Sequence, residues 1–198
     1  MTITRASIIL SLLALVGCGR GGAADPSSMR AAFAVEARQA GEIIPVERVS
    51  KSQAGIVAQR VANTDITITY NRPVARGREL FGGIVPYGRA WNPGADQATA
   101  IAFTRDVRVD GHPLAAGKYS VWMIPRQDSF TVIFSKAGDT FHTPYPGESQ
   151  DALRFDVKTE KTAATEVLTF EFPLVEGKDT TLLFRWGTVA VPMKIQVP

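Results

Sequence analysis

The chain predicts an all-β fold, an antiparallel β-sandwich of jelly-roll or immunoglobulin-like type, and three observations carry that expectation. Apolar residues alternate with polar ones in short runs rich in β-branched and aromatic side chains, as in Ile66, Ile68 and Tyr70 against Thr67 and Thr69. Turn punctuation recurs between the runs at Asp110-Gly111, Ala116-Gly117, Pro125, Pro173, Gly177 and Gly187. No amphipathic segment of helical period and length separates them, which excludes βαβ units and a parallel sheet.

Taken in order, the runs predict strands over Ile56 to Val61, around Ile66 to Tyr70, then Ala98 to Thr104 and Val107 to Val109. Further strands follow at Tyr119 to Ile124, Phe130 to Ser135, Leu153 to Lys158, Glu166 to Phe172, Thr181 to Trp186 and Val189 to Val197. Pro192 lies inside the last run. A proline donates nothing to a ladder, so this strand is expected at an edge or with a bulge. Trp122 and Trp186 sit in alternating runs and are expected in the core.

The segment before the first strand has a different character. Arg5 precedes an apolar run from Ile8 to Val16, interrupted only by Ser11, and the run ends in Leu15-Val16-Gly17-Cys18. This order of basic residue, apolar run and small residues is that of a secretory leader. The run is about half of the ~20 apolar residues that span a bilayer. Cys18, the only cysteine of the chain, stands where a bacterial lipoprotein pathway would acylate it. Residues 1–17 are therefore expected to be a lipoprotein signal peptide. Residues 18–52 are expected to hold the lipidated cysteine, a Gly/Ala/Ser-rich spacer and one short helix between Met29 and Gln39. Residues 53–198 are expected to form the folded domain. The membrane, reached through the lipid, is the expected partner. The expected location is the bacterial cell envelope, with Gly19 after the cysteine favouring the outer membrane, facing the periplasm, in a Gram-negative cell.

With its one cysteine given to lipid, the domain has no disulfide and must be held by burial alone. The net charge of +3, of which cleavage removes only Arg5, is too small to argue for nucleic acid.

Chemistry-bearing motifs are few. Gly17 to Gly22 matches a G-x-G-x-x-G pattern, but no strand precedes it and leader cleavage cuts it. No Walker sequence is present, and Gly147-Glu148-Ser149-Gln150-Asp151 lacks the closing glycine of a nucleophile elbow. His112 follows a hairpin turn signal and is expected to serve the turn. His142 lies in a proline-bearing loop near Asp139 and Tyr145. Neither histidine has a metal-ligand spacing, so no metal site, no cofactor and no catalytic set is assigned.

Two long connections, Leu80 to Gln97 and Lys136 to Gln150, are the expected places for a site, since loops of this length in compact domains are often functional. The second is expected to be a true loop; the first is equally consistent with a hidden short strand or helical turn. Around the first stand Arg72, Arg78, Tyr87 and Trp91. Guanidinium forks recognise anions, and aromatic faces stack on sugars or apolar rings. For Arg72 and Arg78, an ion pair that holds the loop and a ligand contact are both open. The candidate ligand-binding residues are thus Arg72, Arg78, Tyr87 and Trp91, with His142 and Tyr145 from the second loop.

The chain resembles the bacterial family catalogued as domain of unknown function 2911. The likeness runs from about Gln53 to near the C-terminus. It rests on Tyr70-x-Arg72-Pro73, Gly77-Arg78, Val85-Pro86-Tyr87-Gly88-x-x-Trp91, Gly94-Ala95, Ala98-Thr99, Gly117-Lys118-Tyr119-Ser120, Ile124-Pro125 and Thr131-Val132-Ile133-Phe134. In the family pattern Asn-Glu commonly stands where this chain has Asp96-Gln97, and Ser where it has Asn71. An amide cannot titrate, so the departure at Gln97 argues against a catalytic carboxylate there. The resemblance supports the fold and the envelope setting and names no ligand.

The function expected on these grounds is that of a membrane-tethered envelope lipoprotein, a non-catalytic binding module for a glycan, a cell-wall fragment or an envelope protein. A carbohydrate- or cell-wall-acting hydrolase is the alternative. It would use two carboxylates from the loops, such as Asp96, Asp139 and Glu148. A structural assembly protein is the third reading.

Overall fold

In the computed structural model the described residues are Ser52–Pro198. The expected leader, Cys18, the spacer and the short helix lie outside them. The regular elements of the described chain are strands and one 3₁₀ turn. The strands are β1 (Gln53–Val61), β2 (Thr64–Arg72), β3 (Ala100–Phe103), β4 (Val107–Val109), β5 (His112–Leu114), β6 (Gly117–Pro125), β7 (Ser129–Ser135), β8 (Asp151–Lys158), β9 (Glu160–Glu171), β10 (Val175–Glu176) and β11 (Asp179–Gln196). The turn is at Glu148–Gln150.

Two antiparallel sheets pack as a sandwich. The first has the order β1-β2-β3-β6-β7-β8; the second has β10-β11-β4-β5, with β9 also paired to β11. The period-two pattern decides which face each strand buries. Ile66, Ile68 and Tyr70 on β2, Val121 and Met123 on β6, and Phe130, Val132 and Phe134 on β7 point inward. They meet Leu168 and Phe170 of β9 and Leu182, Phe184 and Trp186 of β11 in one apolar cluster. At about 25 cal/mol per Å² of apolar area, burial on this scale answers the need created by the absence of a disulfide.

Where two strands were expected on either side of Gly187, the structure has one. β11 runs unbroken over 18 residues, and Gly187 is not a turn but a bulge, with register shifts on both sides of it against β9. Its φ of +58° and the approach of Leu80, whose Cδ1 would lie 2.8 Å from any Cβ at this position, both favour glycine. The bulge helps explain a strong curl. A straight strand of this length would span about 60 Å at ~3.3 Å per residue. Yet the ends of β11 meet: the Val197 amide donates to the Lys178 carbonyl at 2.9 Å, and Gln196 Nε2 donates to Asp179 Oδ1 at 3.1 Å. Pro192 falls between the last residue paired with β9, Ala190, and the first paired with β4, Ile195.

Trp122 is 1% exposed, as expected of a core residue, but it lies on the outer face of the first sheet. It alternates with the inward Val121 and Met123 and packs edge-on against Tyr145 with ring centroids 5.3 Å apart. The 136–150 loop therefore roofs a second, smaller buried layer on that face.

Candidate functional site

The segment from Val74 to Gln97 contains no regular strand. Isolated bridges hold it down instead: Val74 to Val167 on β9, Phe81 to Val85 within the loop, Trp91 to Met123 on β6, and Gln97 to Phe141 of the second loop. Leu80 and Val85 are buried and anchor the loop, while Ile84 and Tyr87 between and beyond them are 46% and 45% exposed. The loop is thus a fixed projection rather than a free one.

A groove of about 440 Å³ lies where this projection meets β9 and β11, lined by Gly77, Arg78, Phe81, Tyr87, Glu166, Trp186, Gly187 and neighbouring residues. Its volume is within the ~300–1,000 Å³ of small-molecule sites. Tyr87 forms one wall. Its ring lies so close over Gly82 that a Cβ there would stand 2.7 Å from Cε2. The glycine, with φ +93°, lets the ring lie against the backbone.

Arg78 is oriented by the chain it caps. Nε donates to the Ala75 carbonyl at 2.9 Å and Nη2 to the Val74 carbonyl at 2.6 Å. Of the guanidinium's five N–H donors, two are so engaged, and Arg78 forms no ion pair among the described residues. Of the two roles open to it, loop holding and ligand contact, the first is met through carbonyls rather than an acid. Glu166 is also fixed from the loop: its Oε1 accepts the Arg76 amide at 2.6 Å, and its carbonyl accepts the Trp186 indole N–H at 3.3 Å.

The other residues singled out from the sequence do not join this groove. Trp91 packs inward, stacked on Trp186 at 5.9 Å and 11° and set edge-on to Phe81 and Phe184. It supports the groove floor from below. Arg72, at the end of β2, lays its aliphatic stem over Gly55, where a Cβ would meet its Cδ at 2.9 Å; its buried Nε has no hydrogen-bond partner.

His142 and Tyr145 belong to the second loop. The His142 amide and Nδ1 both approach the Asp96 carbonyl, at 3.0 and 2.7 Å, and tie the two long loops together. Tyr145 bonds through its hydroxyl to Asp151 and accepts from Arg154 Nη2 at 3.1 Å. Burial, reinforced by the Asp151 carboxylate, pushes the Tyr145 phenol up to about 12. An unfolded tyrosine titrates near ~10. The unfolded chain therefore loses this proton first, and stability present below pH ~10 declines as pH rises towards 12. A Tyr145→Phe variant is expected to lose that part of the alkaline decline, as read by denaturant midpoints of both proteins across this range.

Glu166 was not singled out from the sequence. It lies 90 residues from the loop residue it binds, and nothing local sets it apart from other charged residues on strands.

Among the loop carboxylates, Asp139 is bound to Lys118 and Glu148 to Arg154 at 3.2 Å. No cluster of three or more His, Cys, Asp or Glu side chains placed to hold a metal occurs among the described residues. A second groove of about 350 Å³, lined by Arg108, Leu174, Asp179 and Lys194 among others, has no aromatic wall; its Arg108 donates one N–H to the Gly111 carbonyl at 2.6 Å.

No curated protein and no solved structure matches the chain. A family model does: the one described as Protein of unknown function (DUF2911) matches residues 52–195, which takes in all eleven strands but the final residue of β11. By that match the chain belongs to the DUF2911 family.

Proposed function

We propose that the protein is a lipid-tethered component of the bacterial cell envelope whose sandwich binds a glycan or cell-wall fragment in the Tyr87 groove without turning it over. In a Gram-negative cell it would sit on the outer membrane facing the periplasm. The observation that carries the binding role is Tyr87 itself: an aromatic ring, nearly half exposed, held against Gly82 beside an oriented guanidinium. Such a ring presents a stacking surface at little cost in conformational freedom. The tether rests on Leu15-Val16-Gly17-Cys18. Two or three acyl chains hold a protein to a membrane stably. Among the described residues, Glu166 is the one carboxylate that lines the groove, where glycoside hydrolysis uses a pair, and this supports a non-catalytic role over the hydrolase reading.

Two measurements test this. Labelled palmitate should enter the full chain and not a Cys18→Ser variant; equal labelling would remove the tether. The detergent-solubilised lipoprotein should bind members of a panel of muropeptides and envelope glycans by calorimetry, with Tyr87→Ala weakening binding about tenfold, the loss expected from one stacking contact of ~1.4 kcal/mol. Release of product from the panel would replace binding with hydrolysis. A silent panel together with specific cross-linking to a neighbouring protein would replace the glycan with a protein partner.

A further inference from the structure

The groove holds two opposite charges that do not satisfy one another. Arg78 and Glu166 both line it, yet no ion pair joins them. Each is held by backbone instead, Arg78 by the Ala75 and Val74 carbonyls and Glu166 by the Arg76 amide. A cation and an anion kept apart over an aromatic platform suit a ligand that answers both. From this separation we propose that the groove is selective for a saccharide bearing one carboxylate, the acid addressing Arg78, the ring stacked on Tyr87, and a hydroxyl or amide N–H donated to Glu166. The inference rests on the groove being a glycan site and specifies which glycan.

Charge decides between the two common acidic groups of sugars. Arg78 attracts either a carboxylate or a phosphate, and its free N–H donors bond to both. Glu166 repels both. A phosphate monoester carries a charge of about −1.5 to −2 at neutral pH, which enlarges its attraction to Arg78 and its repulsion by Glu166 in the same proportion, while the cost of stripping water from the anion grows as the square of its charge. With one positive and one negative side chain lining the groove, those two linear effects oppose each other, and the smaller desolvation cost favours the singly charged acid. A neutral sugar keeps the stacking and the bond to Glu166 but leaves the guanidinium donors to water.

The discriminating experiment is calorimetric titration of the detergent-solubilised full-length lipoprotein with three probes. They are the disaccharide of N-acetylglucosamine and N-acetylmuramic acid, the same disaccharide with its carboxyl reduced to an alcohol, and a neutral disaccharide of the same linkage bearing one phosphate monoester. The acid is expected to bind about tenfold more tightly than its reduced form, the scale of one charge-assisted bidentate contact. It should also bind more tightly than the phosphate.

Arg78→Gln should erase the preference for the acid, so that the acid and its reduced form bind the variant equally. Because Arg78 also caps its own turn, Glu166→Gln provides a second variant, in which the amide oxygen still accepts the Arg76 N–H. It should improve phosphate binding more than carboxylate binding. Equal affinity for acid and reduced sugar overturns the inference and leaves the groove a glycan site. Binding of none of the three removes the glycan reading and the inference with it.

Discussion

Replacing Trp91 by alanine is expected to cost the domain about 3–4 kcal/mol and to lower its thermal midpoint by roughly 6–16 °C, at ~2–4 °C per kcal/mol for a chain of this size. Trp91 is stacked on Trp186 and packs against Phe81 and Phe184, so truncation opens a void bordered by three aromatic rings. Collapse is restricted there, because the Trp91 backbone is bonded to Met123 in both directions, at 2.8 Å each. Tyr87→Ala, four residues earlier, should leave the midpoint within about 1–2 °C, the range of a surface change of ~0.5 kcal/mol, while removing the platform for ligand. Paired melting curves of the two variants check this. A Trp91→Ala protein as stable as the parent would show that the aromatic cluster contributes little. A Tyr87→Ala protein that melts far below it would make Tyr87 a structural residue rather than a recognition one.

That pair also shows how far the sequence could be read. Ile66, Ile68 and Tyr70 announce a strand because alternation is a local property, and β2 indeed buries those three. Likewise, Asp110-Gly111 marks the turn that joins β4 to β5. Tyr87 and Trp91 look alike in sequence, two aromatic residues in one glycine-rich loop, and only the bridge from Trp91 to Met123 on β6 sends one inward.

Gly187 reads as a break because glycine is among the strongest local punctuators of a chain. Its role as a bulge depends on Leu80, more than a hundred residues away in the chain. The pairing of Glu166 with the groove, the roof of Tyr145 over Trp122 and the tie of His142 to Asp96 are non-local in the same way. Periodicity predicts which elements exist, but not which loop side chains a sandwich brings to one place.

The loop that carries Tyr87 is also held by a buried polar residue, and Asn92→Ala is expected to cost about 2–6 kcal/mol. Asn92 is 1% exposed. Its Nδ2 donates to the Val121 carbonyl at 2.7 Å and its Oδ1 accepts the Thr99 amide at 3.0 Å, so truncation leaves a buried carbonyl and a buried N–H each without that partner, at ~1–3 kcal/mol apiece. Asn92→Asp separates the two bonds by pH. The ionised carboxylate still accepts from Thr99 but has no proton for Val121 and brings a charge into a dry site; the protonated carboxyl restores both bonds. Burial and the facing carbonyl hold the aspartate pKa above its unfolded value of ~3.9. Relative to the parent at the same pH, Asn92→Asp should therefore be nearly as stable below pH ~4 and lose ground as pH rises through the folded pKa. Denaturant midpoints of parent and variant at matched pH values give the difference directly. A gap that stays constant from pH 3 to 8 would mean that the side-chain donor to Val121 is dispensable. In that case the loop holding Tyr87 would be fixed by its backbone bridges and its Leu80 and Val85 anchors alone.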